Sequence, residues 1–126
     1  MLMSAGNFAV AIGRTSPVVV LTATGEMDAA TVSRLDAVID EAISEHGCHV
    51  VLDAAAVTFV DSTGITSLIS GLRRLNRSRR RLALAFPAGG PLHRALEVTG
   101  LDHTFECHPS VDDAVSALDG APLIGR

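Results

Sequence analysis

The sequence predicts an α/β fold: a mixed, mostly parallel sheet of about five strands with about four helices. Three observations carry this expectation. Two short apolar segments joined by a brief connection open the chain. Apolar runs of strand length then alternate with 3.6-residue apolar periods. Gly, Pro, Asp or Ser punctuates each change. Strands separated by helices need crossovers, which are right-handed, so the strands after the hairpin run parallel.

Residues 7–12 form a weak first strand, Gly13 to Pro17 a turn, and residues 18–24 a second strand, antiparallel to the first. Asp28 can cap the first helix, whose apolar face is Val32, Leu35, Val38, Ile39, Ala42 and Ile43. Gly47 stops it. Residues 49–53 are a short strand whose Val50-Val51-Leu52 run lacks alternation, as in a strand covered on both faces. The apolar segment 57–60 and Asp61-Ser62-Thr63-Gly64 follow. A second helix then presents Ile65, Leu68, Ile69, Leu72 and Leu75, with Arg73, Arg74 and Arg77 in its tail. Residues 81–86 form another strand. Pro91 starts a third helix that Gly100 ends. Residues 104–107 are a last short strand, and Ser110 with Asp113 is a capping box for a fourth helix over 111–118.

A chain of 126 residues is one domain, with its core over roughly 7–118. With 48% hydrophobic and 19% charged residues it is not disordered, and it can bury a core without metals or disulfides. The core must be aliphatic, because there are four Phe and no Trp or Tyr. That scarcity removes the stacking platforms needed for single-stranded nucleic acid. A net charge of −4 also disfavours nucleic acid as a direct partner. No charge-free apolar run reaches the ~20 residues of a membrane span, and the first thirteen residues carry no basic residue for a secretory signal. A cytoplasmic protein is expected, with no membrane attachment, Cys48 and Cys107 reduced, and no disulfide between them. Two cysteines are too few and too far apart for a zinc site, and no metal or cofactor is expected.

In such a sheet the strand-to-helix loops share one edge. Loops 25–28, 61–64 and 87–91 should converge there, with His46, Cys48 and His49 on the opposite edge. Ser62 stands out. It follows an apolar segment, precedes an apolar-periodic helix and has a Gly two residues on, so its hydroxyl should be exposed at a helix N-terminus that tolerates an anion. Asp61-Ser62-Thr63 also reads as an ordinary capping sequence.

Four segments in order resemble the STAS domain family. They are Gly25-Glu26-Met27-Asp28-Ala29-Ala30-Thr31, then Val50-Val51-Leu52-Asp53, then Val57-Thr58-Phe59-Val60-Asp61-Ser62-Thr63-Gly64-Ile65, and finally Leu96-Glu97-Val98-Thr99-Gly100-Leu101-Asp102 with Phe105. More narrowly, the chain resembles the small bacterial anti-sigma factor antagonists that act in transcription regulation and stress responses. The resemblance implies that Ser62 is phosphorylated by an anti-sigma factor that is a serine kinase, with Thr63 as the minor candidate. It implies that the unphosphorylated form binds this kinase and releases its sigma factor, and that a serine phosphatase reverses the modification. Asp28, Asp61, Ser62, Thr63 and Gly64 would form the partner-binding surface. Phosphate beside Asp61 and Asp28 would block the partner by bulk and charge, without refolding.

Other readings compete. A STAS scaffold or regulatory subunit, associated with a transporter or sensing a small molecule or nucleotide, would not depend on phosphorylation. An enzyme is not expected, since Ser62 lacks a Gly-x-Ser-x-Gly elbow and Gly89-Gly90 lacks a following Lys-Ser/Thr. A Ser62/His93 hydrolase pair is the form an enzyme would take. All ten basic residues are Arg and six fall between positions 73 and 81. This cluster is either a solvated helix end or a contact for an acidic partner, an anionic lipid or a nucleotide. The net charge and the lack of a coiled-coil pattern suggest a monomer when free.

Overall fold

A computed structural model describes the backbone of residues 2–5, 8–15, 18–46 and 48–119, and the side chains of residues 8–13, 18–44 and 48–119. One sheet runs in sequence order: β1 (Leu2–Ala5), β2 (Phe8–Thr15), β3 (Val18–Met27), β4 (His49–Val60), β5 (Leu82–Ala85) and β6 (Glu106–His108). The β1–β2 and β2–β3 pairs are antiparallel and the rest are parallel. Between the strands lie α1 (Val32–Glu41, carried on by a wider π-type turn to His46), α2 (Ser62–Arg77), α3 (Pro91–Thr99) and α4 (Val111–Leu118). The five expected strands and four helices are present, and Leu2–Ala5 adds a strand that was not expected.

The boundaries shift in instructive ways. β2 continues through Gly13 to Thr15, which pairs with Val18, so the first three residues of the expected turn are strand. Ser16, Pro17 and the expected stop at Gly47 lie outside the described residues. Residues 49–53 and 57–60 belong to one strand, not two segments. The small residues Ala54-Ala55-Ala56 carry no hydrophobic period, yet β3 pairs alongside them through register shifts at Thr22/Thr24 and Gly25/Glu26. Gly25 has φ 104 at the second shift, a conformation open to glycine. β3 thus reaches Met27, and Gly25 lies inside it rather than in a loop.

Helix phases match the apolar periods. α1, α2 and α3 pack on one sheet face through Leu35, Val38, Ile39, Ile65, Leu68, Leu75, Leu92 and Leu96, against Val19, Leu21, Val50, Leu52 and Leu84. α4 alone covers part of the other face, with Ala114 and Leu118 on Val18, Val51, Ala83 and Ala85. That is why the central strands read as continuous apolar runs. Ser110 caps α4 by accepting the Asp113 N–H at 3.1 Å, and Gly100 ends α3 at φ 73, both as expected.

Two polar contacts pin the layers. Across the α1–α2 seam, the buried Ser67 hydroxyl donates to Asp36 at 2.6 Å, while Arg74 approaches Asp36 at 3.7 Å and Asp40 at 3.4 Å. At the β6 edge, Arg81 bonds Glu106 at 2.6 Å and His108 Nε2 lies 3.0 Å from the same carboxylate. Burial alone would raise the Glu106 pKa, but hydrogen bonds from His108 and Arg81 and their charges outweigh it and hold the carboxyl below its ordinary value.

Two measurements check these contacts. Asp36→Ala leaves the Ser67 hydroxyl without its acceptor and should cost about 1–3 kcal/mol in chemical denaturation. A carboxyl with a lowered folded-state pKa stabilises the fold above its unfolded value and loses that contribution as pH falls through the folded one. Wild type should therefore exceed Glu106→Gln in melting temperature at neutral pH, and the gap should close as pH falls below the ordinary Glu value of about 4.3.

Candidate functional site

The C-terminal ends of β3 and β4 form one rim, and α2 begins on it. Asp61 sits extended at φ −107 as the N-cap of α2, and its Oδ1 accepts the Gly64 N–H at 3.0 Å. Its own N–H donates to the Met27 carbonyl at 3.2 Å, tying the start of α2 to the end of β3. Ser62 is the first helical residue and is exposed. Thr63 is half-buried, and Gly64 is buried. The cap is thus Asp61, which leaves the Ser62 hydroxyl free of capping duty. The Ser62 carbonyl accepts from the Thr66 hydroxyl at 2.9 Å.

Gly64 has a specific reason to be glycine. A Cβ there would lie 2.6 Å from the Met27 carbonyl oxygen and 3.1 Å from both Met27 Cβ and Val60 Cγ1. The helix backbone therefore rests directly on the last residue of β3. A Cβ at Gly71, by contrast, would meet side chains: the Ile39 tip at 2.8 Å, with Ile39 Cγ2 at 3.8 Å and Arg74 Nη2 at 3.9 Å.

Asp28 follows Met27 on the same rim. Its Oδ1 accepts the Ala30 N–H at 3.0 Å, and its carbonyl accepts from Thr31 N and Val32 N, both at 3.0 Å. The regular helix starts later than expected, with Thr31 at its N-cap position. Asp28 caps the turn that leads into it, one turn earlier. Thr31, which the sequence reading did not single out, locks this turn. Its hydroxyl is buried, accepts from Asp28 N–H at 3.0 Å and donates to the Glu26 carbonyl at 2.6 Å. Its spacing three residues after Asp28 was the available signal.

Two expectations about this edge are corrected. The third loop does not share the rim by register. β5 ends at Ala85 opposite Asp53, well short of Val60, because β4 outruns its neighbour. His93 does not face Ser62 as a base. Its Nδ1 accepts the Gly89 N–H at 2.7 Å, and its ring stacks on Phe86 with centroids 5.7 Å apart. Beside that stack is an open cavity of about 290 Å³, lined also by Asp102, Cys107 and His108. Among the described residues, no group of three or more His, Cys, Asp or Glu is placed to hold a metal ion.

The rim carries one residue the sequence reading passed over: Phe59, 46% exposed, paired in register with Glu26. Its place in an apolar strand masked it, since strand aromatics are usually buried. At the other edge, His49 is buried and its Nδ1 accepts the Arg81 N–H at 3.0 Å. No disulfide joins Cys48, just before β4, to Cys107, in β6. Burial, then Asp102 and Glu106, raise the Cys107 pKa, so it stays a thiol. Among the described residues, no helix is long and apolar enough to cross a membrane.

Comparison with known proteins agrees with this architecture. The STAS domain model matches residues 9–114. The anti-sigma-F factor antagonist RsfB of Mycobacterium tuberculosis is 28% identical over 106 residues, 84% of this chain and 85% of that one. An anti-sigma F factor antagonist of Paenibacillus polymyxa is 30% identical over 102 residues, 80% of this chain and 84% of that one. The crystal structure of an anti-sigma factor antagonist from Mycobacterium paratuberculosis superposes with a TM-score of 0.81 at 27% identity, covering 93% of this chain and 99% of that one. The chain belongs to the STAS domain family.

The two glycines of α2 should respond oppositely to a methyl group. Gly64→Ala forces backbone against backbone and should cost at least about 2 kcal/mol, with the rim residues showing the largest amide shifts. Gly71→Ala meets a flexible side-chain tip and gains helix propensity, so it should stay within about 1 kcal/mol of wild type. Chemical denaturation of both variants checks the contrast.

Proposed function

We propose that this STAS-domain chain is an anti-sigma factor antagonist whose partner binding is switched by phosphorylation of Ser62. One observation carries the reading: Ser62 is exposed in the first turn of α2, on a rim shared with Asp28 and fixed by the Met27–Asp61 and Asp61–Gly64 hydrogen bonds. The names of its relatives support the class of partner. In the unphosphorylated state the rim of Asp28, Asp61, Ser62, Thr63 and Gly64 contacts an anti-sigma factor that is itself a serine kinase, and the sigma factor is released. The chain acts in the cytoplasm as a monomeric single domain and brings no catalytic group of its own.

The kinase partner transfers the γ-phosphoryl group of ATP to Ser62 Oγ. The new O–P bond forms as the bond to the bridging oxygen of ADP breaks, and the hydroxyl proton passes to the kinase. A serine phosphatase hydrolyses the ester and restores the hydroxyl. Thr63, half-buried, is the lesser acceptor.

The added charge of about −1.5 to −2 meets both favourable and unfavourable surroundings. The free N–H groups at the start of α2 tolerate an anion, so the helix need not melt. The Asp61 carboxylate next in the chain and Asp28 across the rim oppose it. A partner shaped for a neutral hydroxyl loses packing and meets a poorly solvated negative charge. The switch is therefore a blockade of a standing surface. The cavity beside Phe86 favours the competing reading of a scaffold or small-ligand regulator indifferent to Ser62.

Incubation with the serine-kinase anti-sigma factors of the same genome and Mg-ATP should place one phosphate on Ser62 and none on Ser62→Ala. Phosphorylation should weaken binding by about a hundredfold or more. Ser62→Ala should stay bound in the presence of ATP. Asp28→Asn keeps the acceptor for Ala30 and should fold like wild type with altered affinity, whereas Asp28→Ala should also lose stability. Binding that ignores Ser62, or a melting shift driven by a small ligand alone, would move the assignment to the competing reading.

A further inference from the structure

The six arginines between positions 73 and 81 fall into two groups. Arg74 is held by Asp36 and Asp40 across the α1–α2 seam, and Arg81 is held by Glu106. Arg73, Arg77 and Arg79 are exposed and have no carboxylate partner among the described residues. Arg80 is half-buried, with Nη1 donating to the Ser78 carbonyl at 2.8 Å. These four surround the last turn of α2. At ~1.5 Å of rise per residue, Arg73 lies about 17 Å and Arg77 about 23 Å from Ser62 along the helix axis.

Arg79 is the one non-glycine residue with positive φ among the described residues, at 61°. It follows Ser78, the C-cap of α2. The Arg79 N–H bonds the Asn76 carbonyl at 3.0 Å, and the Arg80 N–H bonds the Leu75 carbonyl at 2.8 Å. This is a Schellman ending, and its left-handed position is where glycine is the favoured residue. Gly100 fills the same position at the end of α3. An arginine there is less stable than glycine would be, which points to a use for the side chain rather than for the backbone.

We propose that the C-terminal pole of α2, built from Arg73, Arg77, Arg79 and Arg80, is a second docking surface that takes an acidic segment of a protein partner. This goes beyond the Ser62 switch and does not depend on it. Arg73 and Arg77 are one turn apart on the same helix face, and guanidinium forks pair bidentately with carboxylates. Other polyanions fit less well. Phe8, Phe86 and Phe105 are buried and Phe59 is on the opposite rim, so this pole offers no face on which bases could stack. Among the described residues, the exposed large apolar side chains are Phe59 in β4 and Val98 in α3, so the end of α2 presents none of them to a bilayer. Four cations without a carboxylate partner among the described residues, on a chain of net charge −4, suit a short acidic stretch rather than an extended duplex.

The test uses the full chain and a fluorescein-labelled decaglutamate peptide at about 50 mM salt, where surface charges are weakly screened, with decaglutamine as the uncharged control. Wild type should bind decaglutamate saturably and ignore decaglutamine. Arg73→Gln/Arg77→Gln should weaken binding by about tenfold, the loss expected for two charge-assisted contacts. Arg79→Gly should weaken it by about threefold while raising the melting temperature by about 3–6 °C, a split that a purely structural arginine would not give. Absence of saturable decaglutamate binding, or binding unchanged in either variant, overturns the proposal. Preferential capture of transfer RNA or phosphatidylserine vesicles through the same arginines also overturns it.

Discussion

The rim around Ser62 depends on one close approach: the first turn of α2 lies against the last residue of β3. Gly64 allows it by having no Cβ to strike the Met27 carbonyl, and the Asp61 N–H turns the same carbonyl into a hydrogen-bond partner. The geometry of this edge follows from that contact. It brings Asp28 onto the surface that displays Ser62, and it lets Asp61 do the capping so that the serine hydroxyl stays outward. A bulkier residue at position 64 would lift the helix and separate the two halves of the rim.

The rest of the fold makes this contact rigid. Two register shifts let β3 and β4 run on together past the level where β5 ends. The rim therefore stands on a two-stranded extension of the sheet. That extension would be weak alone, but α1 and α2 are pinned beside it by Ser67, Asp36 and Arg74. Charge is also divided along α2. Carboxylates flank its start and arginines its end, so the helix joins two poles of opposite character that could serve different partners without competing for space.

How much was legible in the sequence varied with the kind of signal. Helix phase was plain, because Leu35, Val38, Ile39, Ile65, Leu68 and Leu75 each have neighbours at helical spacing, and all are buried. Caps and stops at Ser110 and Gly100 were equally plain, since each depends on a few adjacent residues. Strand extent was not. Ala54-Ala55-Ala56 has no period of two, and only pairing with β3 makes it a strand. The exposure of Phe59 was hidden for a related reason: an aromatic residue in an apolar segment reads as core until the layer above it is known to be missing.

By itself the sequence determined the alternation of strands and helices from β2 onward, the faces of the helices, the family, and the position of Ser62 at a helix start. All of these are set by residues near one another in the chain. Only the tertiary structure decided that two loops share the rim rather than three, that Asp61 caps while Ser62 does not, and that His93 is committed to Gly89 and Phe86. It also decided which arginines are neutralised and which remain free. These outcomes depend on strand register and on contacts between residues far apart in the chain, and local spacing carries no information about either.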